Sequence, residues 1–187
     1  MDGHLTVQQL EAGLDDVRRS PSDLGPLELI VTRPDRGERV EHQQAELDLD
    51  KGVVGDMWSI RPTTDTDDHR PHPQRQVTLM NVRFAGLVAR TPERRALAGD
   101  QLYVDLDLSE ANLPPGARLE VGTAVLEITA EPHTGCAKFR HRFGPDALAL
   151  VNTPVGLALR LRGVNARVVA PGQIRLGDRL RKLAAPA

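Results

Sequence analysis

Apolar residues first recur at helical spacing: Val7, Leu10, Leu14 and Val17 fall on one face of a helix opened by Thr6. Thr6 and Gln9 have the form of a capping box, in which two side chains satisfy backbone N–H groups of the first turn. Ser20-Pro21-Ser22 ends that helix. From Leu27 the period shortens to that of strands separated by Pro/Gly turns. Leu27–Thr32 predicts a strand, Pro34-Asp35-Arg36-Gly37 its turn, and Val40–Leu49 the returning strand. Gly52-Val53-Val54-Gly55-Asp56 follows as a glycine-flanked turn. Gln76–Met80 reads as a strand and Asn81–Arg90 as a short helix. Leu102, Val104, Leu106 and Leu108 alternate with Gln101, Tyr103, Asp105 and Asp107, the pattern of a half-buried strand. Beyond the Pro114-Pro115-Gly116 turn, strands are predicted at Arg118–Val121 and Thr123–Thr129 and a helix at Asp146–Asn152, started by Gly144-Pro145. Leu157–Val169 reads as a long strand-rich stretch broken near Gly163, and Gly172–Leu180 as a last turn and strand.

Many short strands with few helices predict a mainly β fold, either a β-barrel or a strongly curved sheet. No repeat or linker divides the chain. Residues 61–75 are polar, proline-rich and aperiodic, which predicts a long loop; long loops in compact domains are often functional. Such a loop is a candidate lid.

Composition narrows the function classes. The 187 residues suffice for one domain with a real core, and 40% hydrophobic with 27% charged residues is ordinary for a globular protein. A net charge of −2 gives no global surface for nucleic acid or membrane. One Trp, one Tyr and three Phe are too few for a base-stacking platform. No apolar run suggests a signal peptide or a membrane span, so the expected location is the cytoplasm.

Cys136 is the only cysteine, which excludes an internal disulfide and a zinc knuckle. It stands in the densest run of chemistry in the chain, His133-Thr134-Gly135-Cys136-Ala137-Lys138-Phe139-Arg140-His141-Arg142. Neighbouring cations favour thiolate over thiol, and a thiolate attacks electrophiles, carries sulfane sulfur or ligates a soft metal. A lone cysteine also serves as a small buried hydrophobe. Lys138, Arg140 and Arg142 alternate, so in an extended segment they share one face as an anion site, with Phe139, His141 and Phe143 opposite. His133 and His141 are candidates to tune the sulfur or move protons. Arg160 and Arg162, flanking Leu161, are expected on one strand face as a second basic strip. Arg61 and Arg75, at the ends of the loop, are candidates to reach a ligand phosphate. Asp56 is either a ligand-orienting carboxylate or a turn-former. Asp100 and Asp178, each after glycine, look structural. Asp65, Asp67, Asp68, His69 and His72 have the residue types of a hard-metal site, but irregular spacing and two prolines favour a solvated loop.

Several segments together resemble the MOSC domain, named after the C-terminal domain of molybdenum cofactor sulfurase. They include Gly52-Val53-Val54-Gly55-Asp56, Gln76–Asn81, Ala98-Gly99-Asp100, Leu113–Leu119, Gly135-Cys136-Ala137-Lys138-Phe139, Arg142-Phe143-Gly144, Arg160–Val164 and Gly172–Asp178. The resemblance implies a MOSC-type β-barrel over residues 27–181, preceded by a helix and connector (1–26) and followed by a short tail (182–187). It implies that Cys136 ligates a molybdenum–pterin cofactor or carries a persulfide. Cys136, Lys138 and His133 are the catalytic candidates, and Arg142, Arg140, Arg160, Asp56 and Arg75 the cofactor-binding ones. The implied function is oxygen-atom-transfer or reductase chemistry on a small, N-hydroxylated type of substrate. The alternatives are sulfur delivery to metal centres and a non-catalytic cofactor-binding module. Implied partners are a small molecule or a sulfur-donor protein, together with a redox partner. Pyridoxal phosphate, used by the full sulfurase, has no support in a chain with three lysines and no aminotransferase-like domain.

Overall fold

A computed structural model describes residues 3–63 and 66–184. Helix α1 spans Val7–Arg18, and both hydrogen bonds of the Thr6/Gln9 capping box are formed. Its buried face is Leu10, Leu14 and Val17, the stripe read from the sequence. The strands are β1 (Gly25–Thr32), β2 (Val40–His42), β3 (Gln44–Asp48), β4 (Gly52–Val53), β5 (Val77–Asn81), β6 (Leu102–Val104), β7 (Arg118–Val121), β8 (Ala124–Ile128), β9 (Val164–Ala170), β10 (Gly172–Arg175) and β11 (Arg179–Lys182). Helix α2 (Val82–Ala89) follows β5 directly, capped by Asn81, and α3 (Ala137–Phe143), α4 (Pro145–Val151) and α5 (Pro154–Ala158) lie between β8 and β9.

Strands β11, β7, β8, β9, β5, β6 and β1 pair in that order, and β1 pairs back to β11, which closes a β-barrel. Closure leaves no free edge on the ring, and the single parallel pair, β5 with β6, is bridged by α2 and a 3-10 turn over Pro92–Ala98. β2 extends β1 outside the ring, and β10, β3 and β4 form a small second sheet. Leu47, Val53 and Ile174 of that sheet join the barrel interior with Leu27, Ile30 and Leu79.

A second apolar layer lies between the outer face of the barrel and the helices. β7 and β8 alternate buried and half-buried positions, as strands with one covered face should. β5 and β6 are buried at every position because helices cover their outer face. The expected half-buried strand over 101–108 is therefore corrected. Only Leu102–Val104 is paired, and Tyr103 points into the helical layer rather than to water. In β1 a register shift between Leu27 and Leu29 lets Leu27 and Ile30 both face the interior while Leu29 and Val31 face the helices.

The region predicted as strand over Leu157–Val169 is also corrected. Pro154 at the first turn and Thr153 as cap start α5 instead, and β9 begins only at Val164. The segment around Lys138 differs as well. Phe139 and Phe143, four residues apart, bury one face of α3 with ring centroids 5.0 Å apart. Gly144, at φ +96°, then turns the chain into α4. No helix among the described residues is long and apolar enough to cross a membrane.

Candidate functional site

Cys136 is the residue before α3, in extended conformation, and its side chain makes no capping hydrogen bond. It is exposed, so the small-hydrophobe alternative does not hold. Gly135 behind it is tightly enclosed: a Cβ there would meet Leu148 Cδ1 at 2.4 Å and Val151 Cγ2 at 3.2 Å. The thiol is thus carried on a backbone seated against α4, with its sulfur unengaged.

Because α3 is helical, Lys138, Arg140 and Arg142 do not share a face. Lys138, His141 and Arg142 do, at spacings of three and four, and Arg140 is turned away. The three shared residues line an open cleft of about 680 Å³ together with Ala137, Arg36 and Arg61. Arg36 comes from the β1–β2 turn, and Arg61 ends a 3-10 turn over Met57–Ile60. Among the described residues no acidic side chain lines the cleft, and none of these cations has a carboxylate within ion-pair distance.

One further arginine, Arg39, deepens the positive charge. A side chain at Gly99 would meet Arg39 Nη2 at 3.6 Å and Arg142 Nη1 at 4.0 Å, so both guanidinium groups close over that glycine. Arg39 Nε is buried without a hydrogen-bond partner. Burial, then repulsion from Arg142 and Arg33, pushes the Arg39 guanidinium below its ordinary pKa. Sequence reasoning treated residues 34–37 as a turn and missed Arg33, Arg36 and Arg39; the density of arginine around that turn was the available signal.

Asp56 does not face the cleft. Its fully buried carboxylate accepts from Arg33 Nε at 2.8 Å, Arg33 Nη2 at 2.9 Å, the Arg33 backbone N–H at 2.8 Å and the Trp58 N–H at 2.9 Å. It fixes Arg33, whose Nη1 donates to Gly99 O at 3.0 Å. Asp56 is therefore a turn cap that also orients a basic neighbour, Arg33. Arg75 pairs with Glu131, its Nε donating at 2.9 Å, and lines neither this cleft nor the second cavity described below.

His133 lies on the other side of the Cys136 segment. Its Nε2 is 2.7 Å from Asp100 Oδ1, and Arg162 Nη1 donates to Asp100 Oδ2 at 2.7 Å. Asp100 is completely buried. Burial alone would raise its pKa, but Arg162 and His133 outweigh that and hold the carboxyl well below the usual range. Burial, then Arg162, lowers the pKa of His133 despite Asp100. A carboxylate can only accept, so His133 carries its proton on Nε2 and leaves Nδ1 as an acceptor. Arg162 also stacks over the Phe139 ring at 5.2 Å, which ties this triad to α3.

Arg160 and Arg162 do not share a strand face. Arg162 belongs to the buried triad, whereas Arg160 donates to Leu113 O at 2.6 Å in a second cavity of about 230 Å³ that His133 also lines. The acidic and histidine residues of the 61–75 loop do not assemble into a metal site. His69 Nδ1 lies 3.1 Å from Thr63 O, His72 accepts from the Gln74 N–H at 3.2 Å and Asp68 from the Arg70 N–H at 3.1 Å. Asp65 lies outside the described residues. Among the described residues no cluster of three or more His, Cys, Asp or Glu is placed to hold a metal. The chain therefore offers a metal one sulfur, Cys136, and further donors would have to arrive with the bound group.

Residues 66–181 match the family model of the MOSC domain. The chain belongs to the MOSC domain family. That family is associated with molybdenum cofactor binding or sulfur transfer. The MOSC fold is also found in solved structures similar to this chain. The YUAD protein from Bacillus subtilis matches with a TM-score of 0.63 at 16% identity, over 84% of this chain and 94% of its own. YiiM from Escherichia coli matches with a TM-score of 0.54 at 18% identity, over 87% of this chain and 71% of its own. A crystal structure described only as a hypothetical protein matches with a TM-score of 0.57 at 19% identity, over 87% and 70%. No curated protein matches.

Proposed function

We propose that this MOSC protein binds the molybdenum–pterin cofactor, with the Cys136 sulfur as a metal ligand and the basic cleft as the seat of the cofactor phosphate. The charge of the cleft carries this proposal: Arg36, Arg61, Lys138 and Arg142 face one space with no acidic wall among the described residues. Like charges held together without a counter-charge favour binding an anion, and guanidinium groups suit phosphate through paired hydrogen bonds. The orphaned Nε of Arg39, whose guanidinium meets that of Arg142 over Gly99, fits the same group.

In this scheme Lys138 and Arg142 hold phosphate from α3, and Arg36 and Arg61 close on it from the opposite wall. Asp56 keeps Arg33, and Arg33 keeps the Gly99 carbonyl, in place. His133 remains neutral at physiological pH and holds its proton on Nε2, leaving Nδ1 to take or relay a proton. The bound cofactor would supply two-electron oxygen-atom chemistry on a small substrate, and the protein supplies position and electrostatics.

The test is metal and pterin content of protein purified from a cofactor-replete host, for wild type, Cys136→Ala and Lys138→Gln/Arg142→Gln. Molybdenum and pterin in wild type, metal lost in Cys136→Ala and both lost in the double variant would support the proposal. Wild type lacking both would refute it. The exposure of Cys136 favours a second reading, a persulfide carrier, because a donor protein can reach the sulfur directly. That reading predicts the gain of one sulfur atom in intact mass after incubation with a desulfurase and cysteine. A gain that persists in Cys136→Ser would refute it.

A further inference from the structure

We infer that the second cavity is a binding site for a small organic anion that also carries an N–H or O–H group. Its lining includes Arg160, Glu110, Glu131, His133, Asn165 and Leu157, with a volume of about 230 Å³, enough for a ligand of roughly ten non-hydrogen atoms. It lies apart from the basic cleft, and the two spaces share no lining residue.

Arg160 is the first observation. Its side chain is only 16% exposed, yet its nearest carboxylate is Glu110 at 3.9 Å, which is itself 69% exposed. Its one close partner is a neutral carbonyl, Leu113 O at 2.6 Å. A largely enclosed guanidinium normally has a close counter-charge. Burial lowers the pKa of Arg160, with only Glu110 opposing. The backbone supplies a second observation: Arg160 adopts φ +47°, a conformation that costs a non-glycine residue and that the fold holds here on the rim of a cavity.

The acceptors form the third. His133 donates Nε2–H to Asp100, and its Nδ1 has no partner among the described residues and is not sealed from solvent. Asn165 commits its amide N–H to Glu131 O at 3.1 Å, which leaves Oδ1 likewise unpaired and unsealed. Glu110, Glu131 and Arg162 also line the cavity, but Glu131 is paired with Arg75 and Arg162 with Asp100, which leaves Arg160, held only loosely by Glu110, and the acceptors of His133 and Asn165 to meet a ligand beside Val151, Leu157 and Val164. An acid group would answer Arg160, an N–H or O–H would answer His133 or Asn165, and a short apolar body would lie between. Neutral molecules would leave Arg160 uncompensated, and acids without a donor would leave the acceptors dry. This claim does not depend on what Cys136 carries.

The experiment is a protein-observed NMR titration of the full chain with 4-hydroxybenzoate, with benzoate and phenol as comparators. Saturable shifts at amides of residues 129–134 and 160–165 are expected with 4-hydroxybenzoate, and weaker binding with each comparator. Arg160→Gln should weaken binding by about tenfold or more, the size expected for losing a hydrogen bond to a charged group. Glu110→Gln removes the competing carboxylate at an exposed position and should tighten binding, so the claim stays testable if Arg160→Gln folds poorly. Lys138→Gln, in the other cleft, should leave binding unchanged. Shifts confined to α3 and abolished by Lys138→Gln, no saturable shift at all, or an affinity indifferent to both Arg160→Gln and Glu110→Gln would overturn the proposal.

Discussion

Asp100→Asn tests the buried triad most directly. The carboxylate is completely enclosed and accepts from Arg162 Nη1 and His133 Nε2, each at 2.7 Å. Arg162 is itself 6% exposed and already carries one unpartnered nitrogen, Nε. Asparagine keeps the shape and can still offer Oδ1 to Arg162, while its amide N–H faces His133, which can change tautomer and accept. What it cannot replace is the counter-charge. Leaving a buried cation uncompensated costs about 3–5 kcal/mol. At roughly 2–4 °C per kcal/mol for a chain of this length, Tm should fall by about 6–20 °C. Thermal and urea unfolding followed by circular dichroism measure it. The apolar pair Asp100→Leu/Arg162→Met should be more stable than Asp100→Asn, because it removes both charges together. The sign with pH follows from the direction of the shifts. Asp100 and His133 both have folded pKa values below their unfolded ones, so their contributions are present at neutral pH and lost on acidification. The decline from His133 begins as pH falls through about 6.5, and that from Asp100 below about pH 5. The lower stage should be missing in Asp100→Asn. A loss below about 1 kcal/mol, the range of an exposed pair, together with an unchanged acid limb, would refute the charge-compensation account.

Phe139→Ala removes the ring that anchors α3 between Phe143 and Arg162 and should cost about 3–5 kcal/mol in urea unfolding. Because α3 positions Lys138 and Arg142, the same variant should weaken binding of inorganic phosphate measured by calorimetry. Gly163→Ala places a Cβ 2.3 Å from Leu79 O at φ +104°, and a loss of at least about 1–3 kcal/mol in thermal unfolding is expected. Cys136→Ser should stay within about 0.5 kcal/mol of wild type in the same assay, since the thiol is exposed and uncapped, even where metal or sulfur loading is abolished.

Local patterns that carry their own physical signal were legible in the sequence. The capping box and apolar stripe of α1, the short helix after β5 and the strand texture of β1, β5, β7 and β8 follow from spacing and side-chain type alone. The alternating cations of 138–142 misled because an alternation of charge resembles a strand. The competing signal was the Phe139/Phe143 spacing followed by Gly144-Pro145, and burial of two rings outweighs the placement of exposed charges. Leu157–Val169 misled in the same way, since its leucines satisfied either period until Thr153-Pro154 fixed a helix start. Tyr103 read as a solvent-facing position because nothing in the strand itself says that helices cover its outer face.

The sequence by itself determined a strand-rich domain with one nucleophilic sulfur in a basic run, because periodicity, turn chemistry and residue type act over a few neighbours. Only the tertiary structure decided which charges face one another. Arg36 and Arg61 reach Lys138 and Arg142 from distant segments of the chain, and Asp100, His133 and Arg162 meet from three separate connections between elements. Closing the barrel sets those distances. It made Asp100, which looked structural, the buried counter-charge of Arg162, and it left Arg160, two positions away, only loosely paired at a ligand-sized cavity.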